Sequence, residues 1–305
     1  MATQKEVRNR INSVKNVHKI TRAMEMVAAA RLRRAEQRID AMRPYAQAIR
    51  KMTQQVAEAA GGIPRVKLLE GREQTRRVGL LLVTGDRGLA GAFNAQIIRE
   101  GTRLRREYSG EGAEVSFSVV GRRGNSTMRF RGENVEHTYV GFTDRPAFAN
   151  AREISRDLTA AFADEEVDRV DLVYNRYVSP LTQYVRRQTL LPLEQAEVFG
   201  EGIPPPEEPA DPDLAESHMN AYWFYEPDPE QLLPKLFEEY VDLSVYRALL
   251  ESAASELGAR MTAMRNASEN AQDMISSLTL EMNRVRQAEI TQEILEVVAG
   301  AEALG

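Results

Sequence analysis

Cysteine is absent from this 305-residue chain, and histidine occurs only at His18, His137 and His218. The first absence excludes disulfides, thiol nucleophiles and thiolate metal sites. The histidines lie far apart and lack ligand spacing, so no metal centre and no cofactor are expected. No apolar run approaches the ~20 residues that span a bilayer, which argues against an integral membrane protein. The opening MATQKEVRNR lacks the apolar stretch of a secretory signal, and the expected compartment is the cytoplasm. Glycine and proline are scarce at both ends. Before Gly61 the only one of either is Pro44, and between Pro234 and Gly300 the only one is Gly258. Such stretches favour long helices.

Hydrophobic residues make up 43% of the chain and charged residues 28%, enough for a packed core. The net charge of −5 is unevenly spread. Residues 1–56 hold 13 Lys or Arg against 4 Asp or Glu, or +9, which leaves −14 on the remainder. A basic arm on an acidic body predicts an electrostatic partner for the arm.

Three segments separate by pattern. The first spans 1–60. Its seven-residue ladder reads Val7, Val14, Thr21, Ala28, Ala35, Met42, Ile49, Val56, with a second rung of Ile11, His18, Glu25, Leu32, Ile39, Ala46. This is a coiled-coil seam. The polar rungs His18, Thr21 and Glu25 sit together, which predicts looser packing there or another chain. Pro44 is expected to bend the helix near Arg43. The last segment spans 231–305. Its ladder reads Leu236, Leu243, Leu250, Leu257, Met264, Ala271, Leu278, Val285, with no charged rung. The simplest cover for two such stripes is an antiparallel coiled coil between the chain ends. The last helix is the longer, and its tip carries Ile290, Ile294, Leu295, Val297, Val298 and Leu304. An apolar tip beyond the reach of its partner implies a sleeve made by other chains.

The middle segment, 76–228, alternates strand-like and helix-like runs. Strands are expected at Val78–Thr84, Glu114–Val120, Asp168–Tyr177 and Gln183–Leu191, and helices at Ala92–Tyr108 and Pro146–Ala163. The order predicts an α/β domain with a mostly parallel, Rossmann-like sheet. The Pro- and acid-rich stretch 199–220 reads as a surface insertion.

The motifs are sparse. Thr84–Asn94 reads TGDRGLAGAFN between a strand and a helix. It matches neither G-x-G-x-x-G nor the P-loop pattern and contains no lysine, so direct nucleotide binding is not expected. A structural turn, with Asp86 and Arg87 pairing locally or with a partner, is the simpler reading. The methionines of the terminal segments read as adaptable packing. Arg31, Arg33, Arg34 and Arg38 read either as a solvated face or as a contact for an acidic protein surface. Nucleic acid fits them less well, because no recognition module accompanies them. Gly124–Ser126 is not a nucleophile elbow, and no carboxylate pair faces a nucleophile, so catalysis has little support.

The ends carry a resemblance. KEVRNRINSVKNVHKITRAMEMVAAARLRRA, TGDRGLAGAFN, the phrase YEPDP (Tyr225–Pro229) and ARMTAMRNASENAQDMISSLTLEMNRVRQAEITQEILEVVAGAEAL occur in the order found in the gamma subunit of rotary ATP synthase, which the chain resembles over nearly its whole length. Ala90 stands where many members of that family carry cysteine. The resemblance implies a non-catalytic central shaft within a hexamer of alpha and beta subunits. Its middle domain would be a foot on the epsilon subunit and the membrane c-ring, at the cytoplasmic face of the cell membrane. It also implies roles for residues. Met24, Arg286, Gln287, Thr291 and Gln292 would contact beta subunits. Ile290, Ile294, Leu295 and Val298 would sit in the bearing at the top of the hexamer. Asp86, Arg87, Tyr222 and Tyr225 would be foot contacts to the c-ring or epsilon.

Two rivals remain at the level of sequence. A Rossmann-type dehydrogenase needs a dinucleotide fingerprint, which is missing. A coiled-coil adaptor predicts a stable homodimer. The acidic insertion is a further expectation: it would brush a basic neighbour and hinder rotation in one sense. Deleting Glu201–Asp213 should then affect synthesis and hydrolysis unequally.

Overall fold

The computed structural model describes residues 3–60, 66–72, 74–194 and 228–302. Tyr222, Tyr225, Leu304 and the insertion 199–220 lie outside them.

The chain begins with helix α1, Gln4–Ala59. A capping box starts it: Glu6 N donates to Thr3 Oγ1 at 3.4 Å, and Thr3 N donates to Glu6 Oε2 at 3.0 Å. The helix runs through Pro44 without ending. The chain closes with helix α5, Pro229–Glu302, which opens on a proline at its first position. At 1.5 Å per residue the two measure about 84 and about 111 Å. They are antiparallel: Gln4 N donates to Glu289 Oε1, Thr21 pairs with Ser268, Glu25 with Arg265, and Tyr45 with Glu239.

Between them lies one sheet of five strands in the order β3-β2-β1-β4-β5. The strands are β1 Arg77–Val83, β2 Glu114–Val120, β3 Val135–Tyr139, β4 Arg169–Tyr177 and β5 Gln183–Leu191. All pair in parallel except β4 with β5, which is a hairpin. Helices α2 Phe93–Gly110, α3 Arg122–Phe130 and α4 Phe148–Ala163 are the crossovers. The strand β1 is apolar on both faces because both faces are covered. Val78, Leu80 and Leu82 pack with Ile97, Leu104 and Met128 of α2 and α3. Leu81 and Val83 join Ile154 and Leu158 of α4, Phe237 and Val245 of α5, and Val56 of α1. The sheet is therefore sandwiched between α2/α3 on one side and α4 with the base of the shaft on the other.

The middle domain has an orientation along the shaft. Ser252 Oγ donates to Val83 O at 3.3 Å, at the exit of β1. Further along, Arg260 Nη2 donates to Gly88 O, also at 3.3 Å. The glycine loop thus climbs toward the free end of α5 and occupies the face of the domain turned toward the tip.

Two elements escape the sequence reading. Strand β3 (VEHTY) is a half-exposed edge strand without an apolar run. Helix α3 (RRGNSTMRF) has nine residues and buries only Gly124 and Met128.

Candidate functional site

The polar rungs of α1 are not loosely packed. Thr21 Oγ1 lies 2.7 Å from Ser268 Oγ in a buried hydrogen bond. Glu25 is buried and accepts from Arg265 Nε at 3.0 Å and from Arg22 Nη1 at 2.8 Å. Burial alone would push its carboxyl up, but the two guanidiniums outweigh that and hold it below the usual glutamate range. The expectation of loose packing or an outside chain at Thr21 and Glu25 is corrected: α5 supplies the partners. His18 is half-buried, and its carbonyl accepts from Thr21 Oγ1.

Next to this seam, α1 carries a second stripe. Val17, Ile20, Met24 and Val27 recur at the three- and four-residue spacing of one helix face. Met24 is half-buried, while Val17, Ile20 and Val27 are exposed. The sequence reading singled out Met24 alone. Two seven-residue counts find the stripe, one through Val17 and Met24 and one through Ile20 and Val27.

Toward its tip α5 loses its cover. The start of α1 lies opposite Glu289, so residues 290–302 extend about 20 Å past it. Ile290, Ile294, Val297 and Val298 share one face, with Leu295 beside them. All five are exposed, Ile294 at 58% and Val297 at 72%. Arg286 and Gln287 are exposed just below. Thr291 Oγ1 donates back to Gln287 O at 2.9 Å, and Gln292 Nε2 donates to Glu296 Oε1 at 3.1 Å. Both bonds are local to the helix and leave these side chains at the surface.

The glycine loop is a built joint. Gly85 backs onto the carboxylate of Glu256, which a Cβ there would meet at 2.7 Å. Burial pushes the Glu256 carboxyl up, and Asp144 and Asp86 push the same way, against the attraction of Arg260. Gly85 N donates to Asn94 Oδ1 at 2.8 Å, which ties the turn to α2. Asp86 is engaged within the domain. Its carboxylate accepts from Gly141 N at 2.8 Å, Arg122 N at 3.1 Å, Thr143 Oγ1 at 3.1 Å and Thr143 N at 3.3 Å. Its side chain is 12% exposed. Arg87 is exposed and reaches Asp144 at 3.2 Å, and Asp144 also holds Arg31 of α1 at 3.3 Å. Asp144 thereby bridges the middle domain and the shaft. A second bridge runs from Tyr177 Oη to Glu36 Oε1 at 2.5 Å. Leu89, exposed at a left-handed φ of 63°, crowns this face.

Among the described residues no helix is long and apolar enough to cross a membrane, and no group of His, Cys, Asp or Glu is placed to hold a metal ion.

A long coiled coil with an uncovered apolar tip and an α/β domain clamped to its base can now be set beside known proteins. A family model described as ATP synthase matches residues 3–304. The ATP synthase gamma chain of Rubrobacter xylanophilus is 43% identical over 305 residues, covering all of this chain and 99% of the relative. That of Nostoc punctiforme is 41% identical with both chains fully covered. Among solved structures, the central stalk and c-ring assembly of the Tetrahymena thermophila mitochondrial ATP synthase contains a chain with a TM-score of 0.59 and 27% identity, covering 82% of this chain and 99% of that one. A chain of the Euglena gracilis mitochondrial enzyme shares the fold at a TM-score of 0.67 and 18% identity, over 99% of this chain and 94% of that one. The match over residues 3–304 and the full-length relatives establish that the chain belongs to the ATP synthase gamma-chain family.

Proposed function

We infer that this chain is the central rotary shaft of a proton-translocating ATP synthase, and that it performs no chemistry itself. The observation that carries the reading is the tip of α5. It is an apolar, uncovered helix end on an otherwise paired coiled coil, and it needs a sleeve. A ring of alpha and beta subunits supplies one. Ile290, Ile294, Leu295 and Val298 would turn in that bearing. Arg286, Gln287, Thr291 and Gln292 would meet a beta subunit just below it. The stripe around Met24, with the basic side chains of Arg33 and Arg34, would meet the acidic levers of the beta subunits lower down.

The coupling follows from shape and stiffness. The two helices present different side chains around the axis, so each beta subunit meets a different surface, and turning the shaft exchanges those surfaces. Ion flow turns the c-ring and the foot, and the head releases ATP. Hydrolysis drives the reverse. The clamps Tyr177–Glu36, Tyr45–Glu239 and Arg31–Asp144–Arg87 support transfer of torque from foot to both helices.

The epsilon subunit and the c-ring would take the foot. The glycine loop faces the tip, which favours Arg87 as a contact toward the base of the hexamer over a contact with the ring. The ring would meet the opposite end, where the chain enters α5 and where Tyr222 and Tyr225 precede it in sequence. The chain would be peripheral, at the cytoplasmic face of the membrane. The insertion 199–220 keeps its proposed role as a brake in one direction of rotation.

Reconstitution tests the reading. Mixed with alpha and beta subunits, the full chain should enter the hexamer as a single copy and confer rapid multisite ATP hydrolysis. A chain that forms a stable homodimer and ignores alpha and beta would be an adaptor instead.

A further inference from the structure

Helices α2 and α3 leave a groove between them, closed at its upper end by residues 88–91, with a volume of about 830 Å³. That is the size of a small-molecule site, ~300–1,000 Å³. Its walls are basic through helical spacing. Arg99, Arg103 and Arg106 fall on one face of α2, Arg123 stands in the first turn of α3, and Arg131 caps its end. The two walls meet where Arg131 Nη1 donates to Thr102 Oγ1 at 3.3 Å. No carboxylate lines the groove. Arg103 is offset by Glu100 at 2.7 Å and Glu107 at 2.8 Å. The other four arginines have no carboxylate within ion-pair distance among the described residues. Four uncompensated guanidiniums around one concavity repel each other and concentrate anions there.

We propose that this groove binds an oligophosphate anion, held by Arg99, Arg106, Arg123 and Arg131. Guanidinium forks match phosphate oxygens in pairs, and several forks around one cavity suit an anion with several charged groups in a row better than a single carboxylate. The site owes nothing to the glycine loop as a phosphate cradle. Gly85 N is already bound to Asn94, and that turn faces α5. Leu89, Ala90 and Ile98 add apolar surface to the lining. The phosphate chain can come from inorganic polyphosphate or from the tail of a nucleoside triphosphate.

Titration calorimetry on the full chain, at fixed ionic strength, tests this with tripolyphosphate, MgATP and citrate. Tripolyphosphate should bind saturably with one site per chain. Arg106→Ala and Arg131→Ala should each weaken it about tenfold, the scale of one charge-assisted hydrogen bond. Arg129→Ala should leave it unchanged, because Arg129 binds Asn125 outside the groove. MgATP binding as tightly as tripolyphosphate assigns the site to the phosphate tail, and tighter binding adds a contact to the nucleoside. All these arginines are exposed, and the melting temperature of each variant confirms that it folds. The proposal fails if no saturable binding occurs, if citrate binds equally well, or if Arg129→Ala weakens binding as much as the groove variants do. It fails too if only an acidic polypeptide binds there.

Discussion

At the scale of single residues, Glu25 decides how well the shaft is joined at its middle. Its buried carboxylate sits between Arg265 and Arg22. Both arginines are about half-exposed, so Glu25→Ala should cost about 1–3 kcal/mol, less than a fully buried pair would. The folded pKa of Glu25 is depressed. Its contribution is therefore complete above the ordinary glutamate range and is lost as pH falls through the lower folded value. Melting curves of the wild-type chain and Glu25→Gln should converge in acid and diverge toward neutrality. Parallel curves at all pH values would contradict this. Asp86→Ala should cost about 1–2 kcal/mol, because it removes the acceptor of the amides of residues 122, 141 and 143, and Asp86→Asn should recover part of that. A surface contact residue would show neither effect on the isolated chain. Gly121 has a φ of 94° and backs onto the Thr84 carbonyl, so Gly121→Ala should destabilise by about 2–3 kcal/mol. Chemical denaturation reads all three. The polar rungs were visible in sequence, but their partners were not: Ser268 and Arg265 lie more than 200 residues away.

At the scale of elements, the tip of α5 separates stability from assembly. A chain ending after Glu289 loses only helix that α1 does not cover. Its melting temperature should move by less than about 2 °C, while assembly with alpha and beta and the hydrolysis rate both fall. A truncation that unfolds the shaft would contradict the division. The long helices were legible because a seven-residue ladder repeats eight times in each, and the uncovered tip followed from their unequal lengths. β1 was legible as an unbroken apolar run. Strand β3 and helix α3 were not, because an edge strand and a nine-residue crossover bury too little to leave a periodic signal. Helix α1 continues past Pro44. Val56 and Ala57 beyond it pack with the base of α5 and the sheet, and that packing outweighs the one hydrogen bond lost.

At the scale of the whole molecule, the proposed rotation requires the middle domain and both helices to turn as one body inside a ring of other chains. The polar clamps and the shared core of α1, α4, α5 and the sheet make foot and shaft continuous. The absence of cysteine makes the claim directly measurable, since a single introduced thiol labels one place only. Phe130 is 92% exposed at the end of α3, away from the shaft seam. With Phe130→Cys carrying a bead and the alpha–beta hexamer fixed to a surface, ATP should drive sustained rotation of the bead in one direction. Rotation should stop when ATP is exhausted. ATP hydrolysis at an undiminished rate with a bead that only fluctuates about a fixed angle would contradict the account.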